Sequence, residues 1–150
     1  MIKFSVVGYK NTGKTTLCGD LAHLFTNKNY KVGYLKYAHC EIKLDDETDT
    51  HRVRQKGAST SIVTSPHGFE IISNNNLSEK IIDFTFDGYD ILIIEGNKFS
   101  ELPKILIYND EDIPKLKNVI ATVGRPLKNL PNFNNNEIEE IGEFILNYFK

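Results

Sequence analysis

The sequence predicts a three-layer α/β/α fold, a mostly parallel sheet with helices on its faces and one antiparallel hairpin, in a single domain over residues 1–150. Three observations predict it. The apolar run Ile2-Lys3-Phe4-Ser5-Val6-Val7 passes through a glycine turn into Leu17, Leu21, Leu24 and Phe25 at helical spacing, the order strand, loop, helix. Further on, Ile91-Leu92-Ile93-Ile94 is an unbroken aliphatic stretch, as a strand buried on both faces of a parallel sheet requires. Between them, residues 59–64 and 69–72 are β-rich and flank Ser65-Pro66-His67-Gly68, which reads as a hairpin. The hairpin is expected to join the sheet as its antiparallel member.

The turn after the first strand reads Gly8-Tyr9-Lys10-Asn11-Thr12-Gly13-Lys14-Thr15, with Thr16 behind it. It satisfies G-x-x-x-x-G-K-[ST] at every fixed position, which narrows the expected fold to that of the P-loop NTPases. Gly8 and Gly13 allow dihedrals that a Cβ forbids, so the amides of the loop, Asn11 and Thr12 included, converge on one anion. With the unpaired N–H groups opening the helix they would cradle a β-phosphate. Lys14 would bridge β- and γ-phosphate oxygens, the Thr15 hydroxyl would ligate Mg²⁺, and Thr16 would serve the α-phosphate. The alternative is a glycine turn that merely starts a helix; the intact strand before it and helix after it argue against that. The motif predicts binding of a nucleoside triphosphate.

The polar turn at residues 26–30 returns the chain for a second strand at residues 31–36, parallel to the first, with Lys36-Tyr37-Ala38-His39-Cys40 leaving from the same edge. Residues 41–50 are acidic and lack a pattern. Arg52, Val53, Gln55 and Lys56 suggest a short helix ending at Gly57 and capped by Thr48 or Asp49. After the hairpin, Asn74-Asn75-Asn76 is a turn and residues 77–86 carry another short helix.

Asp90-Ile91-Leu92-Ile93-Ile94-Glu95-Gly96 then places a carboxylate at the carboxyl end of a buried strand, the position of a Walker B acid. Glu95 would hold Mg²⁺ through water or orient the attacking water; the plain alternative is a carboxylate that ends a strand. Strands follow at residues 104–108 and 118–123, separated by the acidic turn 109–112 and Pro114. Residues 124–136, with Pro126, Pro131 and several Asn, are expected to be loop. Ile138, Ile141, Phe144, Ile145 and Tyr148 give a closing amphipathic helix.

Five segments, GYKNTGKTT at 8–16, LKYAHC at 35–40, DTHRVRQKGA at 49–58, DILIIEGNK at 90–98 and LPKILIY at 102–108, together resemble the MobB family of molybdopterin-guanine dinucleotide biosynthesis proteins. The resemblance covers roughly the first hundred and eight residues, and its specificity lies in the order and spacing of all five. It implies a small GTP-binding protein, dimeric, with weak GTP hydrolysis. It also implies a partner, a MobA-type guanylyltransferase that attaches GMP to molybdopterin. Carried over residue by residue, it assigns Asp49 to the metal, Arg52 to the phosphates or the pterin, and Lys36 and His39 to an anionic cofactor or triphosphate. The plain readings are a solvated helix face for Arg52 and Arg54 and a lone histidine for His39. Two departures stand out. Cys40 occupies the place of a second family histidine. Asn97-Lys98-Phe99-Ser100 starts like a guanine-binding motif but has Ser100 where the acid belongs, so guanine is implied by the resemblance alone.

Two further functions fit the same motif: a small-molecule kinase using ATP or GTP, and a nucleotide-dependent adaptor that does not hydrolyse. The kinase lacks an Arg-rich lid stretch. Net charge of −2 offers no electrostatic case for nucleic acid, and no apolar run approaches a membrane span. Two cysteines make no disulfide framework, which with the absence of a signal segment suggests a reduced, cytoplasmic chain.

Overall fold

In chain order the elements are β1 (Ile2–Gly8), α1 (Lys14–Asn27), β2 (Val32–Lys36), α2 (Asp49–Gln55), β3 (Thr60–Ser65), β4 (Gly68–Ser73), α3 (Glu79–Thr85), β5 (Ile91–Glu95), β6 (Lys104–Tyr108), β7 (Val119–Gly124), β8 (Asn132–Phe133) and α4 (Ile138–Tyr148). The computed structural model describes residues 1–38, 48–108 and 115–150. They fall into two compact units, one within Met1–His39 and Phe86–Lys150, the other within Cys40–Thr85.

The first unit is organised around β1. Six strands lie in the order β2-β5-β1-β6-β7-β8, and every neighbouring pair is parallel. Parallel sheets need both faces covered, and the sequence meets that need: every residue of β5 and of β6 is buried. On one face Phe4, Val6, Ile93 and Ile107 pack with Leu21 and Phe25 of α1 and with Ile141 and Ile145 of α4. Burying each such side chain stabilises the fold by about 1.5–3 kcal/mol. The two helices approach closely at Gly142, where an added Cβ would lie 2.4 Å from Leu24 Cδ2. On the other face Val7, Leu106 and Tyr108 are packed by Leu116, Val119 and Leu127. This is the mostly parallel P-loop NTPase architecture expected from the motif order.

The hairpin corrects one expectation. β3 and β4 pair antiparallel, as their turn residues predict, but as a separate two-stranded sheet and not as a member of the six-stranded one. Their composition gives the reason. Thr60-Ser61 and Thr64-Ser65 bracket Ile62-Val63 in β3, and Glu70 and Ser73 interrupt the apolar residues of β4, so neither strand has the two apolar faces that a place inside a parallel sheet demands. Within the second unit α2 packs beside β3, and the buried Arg54 donates from Nη1 to Ser61 Oγ at 2.7 Å. The cap of α2 is Thr48, whose Oγ1 accepts from the His51 amide at 3.2 Å. The opposite hairpin face keeps Ile62, Ile71 and Phe69 exposed, with Phe69 68% accessible.

A second correction concerns residues 124–136, expected to be loop throughout. Asn132 and Phe133 form β8 beside β7, held by Thr122 Oγ1 donating to Asn132 Oδ1 at 2.8 Å. Two residues bounded by Pro131 and Asn134 carry no periodic signal, so the strand was invisible to pattern. The acidic stretch up to Glu47 and the turn at 109–112 lie outside the described residues. Among the described residues no helix is long and apolar enough to cross a membrane.

Candidate functional site

Because β1, β2 and β5 run parallel, Gly8, Lys36 and Glu95 all arrive at the carboxyl edge of the sheet. In register, Glu95 stands between Val6 on one side and Lys36 on the other. The edge is where a ligand meets an open α/β sheet.

The loop after β1 is pressed against β6. A Cβ on Gly8 would lie 2.3 Å from the Ile107 carbonyl oxygen and 2.9 Å from Thr12 Oγ1, so only glycine fits. Asn11 (φ 62°) and Gly13 (φ 91°) both adopt the left-handed region, which asparagine tolerates better than most side chains. Thr12 Oγ1 donates to the Tyr9 carbonyl at 3.0 Å, and the Lys14 ammonium donates to that same oxygen. Helix α1 opens at Lys14 with no side-chain cap and no acidic residue in its first turn. Its first amides and the positive end of its dipole are therefore left for an anion.

Glu95 is buried, and three side chains converge on its carboxylate. Thr15 Oγ1 donates to Oε2 at 2.8 Å, Tyr34 OH donates to the same oxygen at 2.6 Å, and Lys36 Nζ pairs with Oε1 at 3.0 Å. Burial alone would raise the Glu95 carboxyl; the hydrogen bonds from Tyr34, Thr15 and Lys36, with the Lys36 charge, outweigh it and hold the group below its ordinary value. Tyr34 responds in the opposite sense, pushed up by burial and by its bond to Glu95. Burial pushes the Lys14 ammonium down, with the charges of Lys98 and Lys36 adding to it and Glu95 opposing. One turn along the helix, burial pushes the Cys18 thiol up to about 12, so it packs and does not react.

These contacts also test whether a divalent cation would suit the site. Lys36 Nζ lies 3.0 Å from Glu95 Oε1 and 3.5 Å from Thr15 Oγ1, so a positive charge already sits between the two oxygen donors expected to share Mg²⁺. An all-oxygen pair of carboxylate and hydroxyl suits a hard cation, and the residues fit.

The structure thus brings together Gly8, Asn11, Thr12, Gly13, Lys14, Thr15, Lys36 and Glu95. Thr16 follows on the exposed first turn of α1. Asp49 and Arg52 lie in the second unit on α2, where Arg52 Nη1 pairs with Asp49 Oδ1 at 3.1 Å and both side chains are well exposed. His39 lies outside the described residues. Three residues escaped the sequence reading. Tyr34 is one strand period before Lys36 and so shares its face, a signal that alternation along β2 carried. Tyr9 and Lys98, whose ammonium lies 4.9 Å from the Tyr9 ring centroid, had no such signal, because they meet through two loops.

A family model described as molybdopterin guanine dinucleotide synthesis protein B, MobB, matches residues 3–125. A molybdopterin-guanine dinucleotide biosynthesis adapter protein of Haemophilus influenzae is 26% identical over 154 residues, covering 95% of this chain and 86% of that protein. In Bacillus subtilis, a protein named as a probable adapter of the same kind is 30% identical over 128 residues, covering 80% of this chain and 74% of its own. The crystal structure of Bacillus subtilis MobB shares the fold at a TM-score of 0.78 and 24% identity, covering 98% of this chain and 97% of that one. The family match takes in the glycine loop, the acid at the end of β5 and every strand through β7, and the chain belongs to the MobB family.

Proposed function

We propose that this protein is a GTP-binding adapter with slow GTPase activity that assists conversion of molybdopterin to molybdopterin guanine dinucleotide. The observation that carries the reading is the Thr15–Glu95 pair beneath the loop of Gly8 to Lys14, with an uncapped helix start behind it. Loop amides and α1 would hold the β-phosphate, and Lys14 would leave the Tyr9 carbonyl for the β- and γ-phosphates. Thr15 and Glu95 would hold Mg²⁺, which when bound supplies charge to neutralise the phosphates. Glu95, kept ionised by Tyr34, would orient a water toward the terminal phosphate with no covalent step.

The relatives named as adapters support a role beside a partner enzyme, and we assign that partner as a MobA-type guanylyltransferase in the cytoplasm. A homodimer is part of the same reading, supported by the exposed Ile62, Ile71 and Phe69 on the hairpin. The test is titration of GTP and ATP, each with Mg²⁺, into wild type and Lys14→Ala. Wild type should prefer GTP by about tenfold or more, and Lys14→Ala should lose both nucleotides while unfolding at the wild-type temperature. Affinity retained in Lys14→Ala overturns the reading; equal binding of ATP removes guanine from it.

A further inference from the structure

Two ammonium groups of the candidate site rest on one residue. The Tyr9 carbonyl accepts from Lys14, and the Tyr9 ring lies beneath Lys98 at 4.9 Å. Lys14 belongs to the glycine loop; Lys98 comes from a different part of the chain, three residues beyond Glu95. Gly96 (φ 93°) and Asn97 (φ 54°) are consecutive left-handed residues, and they turn the chain so that Lys98 lies over the loop.

The segment that carries Lys98 is held on both sides. The Gly96 amide donates to the Val6 carbonyl at 3.0 Å, and the Ser100 amide donates to the Asn97 carbonyl at 3.1 Å. From beneath, the buried Lys104 donates from Nζ to the Ser100 carbonyl at 2.6 Å and the Leu102 carbonyl at 2.8 Å. The backbone is therefore anchored, and only the Lys98 side chain needs to move. Among the described residues Lys98 makes no ion pair. A cation over a tyrosine face is held more weakly than an ammonium hydrogen-bonded to a phosphate oxygen, so an anion within reach takes it.

We propose that Lys98 is the specificity-determining cation for the terminal phosphate, by which this site tells a nucleoside triphosphate from a diphosphate. The proposal rests on the nucleotide-binding reading above and adds to it the group that senses the γ-phosphate. The loop amides meet the β-phosphate that both nucleotides possess, and Lys14 reaches from it toward the γ-phosphate; Lys98, over the Tyr9 ring and not on the loop, is a second cation whose anion only the triphosphate supplies. The depressed basicity of Lys14, caused first by burial and then in part by Lys98, agrees with two ammonium groups sharing one small space. A lysine that merely staples the two loops through the Tyr9 ring would affect both nucleotides alike.

The test is calorimetric titration of GTP and GDP, each with Mg²⁺, into wild type, Lys98→Ala and Lys98→Arg. Lys98→Ala should lose about tenfold or more in GTP affinity with GDP changed by less than about twofold. Lys98→Arg should keep the wild-type preference. Equal losses for both nucleotides, or unchanged GTP affinity in Lys98→Ala, overturn this inference while leaving the nucleotide site standing. A wild type that binds neither nucleotide overturns the site and the inference with it.

Discussion

The six-stranded sheet and the β3–β4 hairpin use the same β-forming residues to opposite ends. In the sheet every residue of β5 is buried, and Phe4 and Ile93 have no accessible surface. In the hairpin Ile62 and Phe69 are 62% and 68% exposed. The sheet has spent its apolar surface on a core, and it can therefore hold Glu95, Lys36 and Gly8 at fixed positions along one edge. The hairpin keeps its apolar surface uncovered, and a two-stranded ribbon alone is marginal in water. The lesson is that the rigid unit carries candidate chemistry and the exposed one carries candidate association.

That contrast can be broken by substitution. Phe4→Ala should lower stability by about 3–5 kcal/mol in urea unfolding, whereas Phe69→Ala should stay within about 0.5 kcal/mol. A large loss at Phe69 would show that the hairpin face is covered in solution. Within the hairpin unit, Arg54→Ala removes the donor to Ser61 and should cost about 1–3 kcal/mol, seen as faster hydrogen exchange of the β3 and β4 amides.

The site unit is sharpened by pH. A carboxyl held below its ordinary value stabilises the fold above that value, and the contribution is lost as pH falls through the depressed one. Wild type should therefore lose stability on acidification below about pH 4.3, and Glu95→Gln should remove that part of the profile. The same variant should bind nucleotide but hydrolyse it more slowly; unchanged turnover would take Glu95 out of the proposed mechanism. The smallest effect belongs to the second unit's surface: Arg52→Ala, which breaks an exposed pair with Asp49, should change stability by no more than about 0.5 kcal/mol in thermal unfolding.

Much of this was legible before the structure because it depends on local pattern. The Gly8–Thr15 motif needs only neighbours in sequence, and the aliphatic run before Glu95 announces a strand buried on both faces. What was hidden depends on pairing between distant segments. Whether β3 and β4 join the main sheet depends on whether both of their faces can be covered there, not on their turn. Tyr34 reaches Glu95 only because β2 pairs with β5, and no run of residues reports that adjacency. Lys36 was expected to face an anion directly; its place on Glu95 follows from the same cross-strand register.

The close seat of Gly142 against Leu24 ties events far apart in the making of the chain. Helix α1 follows the glycine loop within the first thirty residues, yet the surface formed by Leu21, Leu24 and Phe25 is closed by a helix that starts at Ile138. More than a hundred residues must therefore be synthesised before the partner for that surface exists. Until then, the helix that would receive the phosphate has an open apolar flank, and the site at the front of the chain matures late.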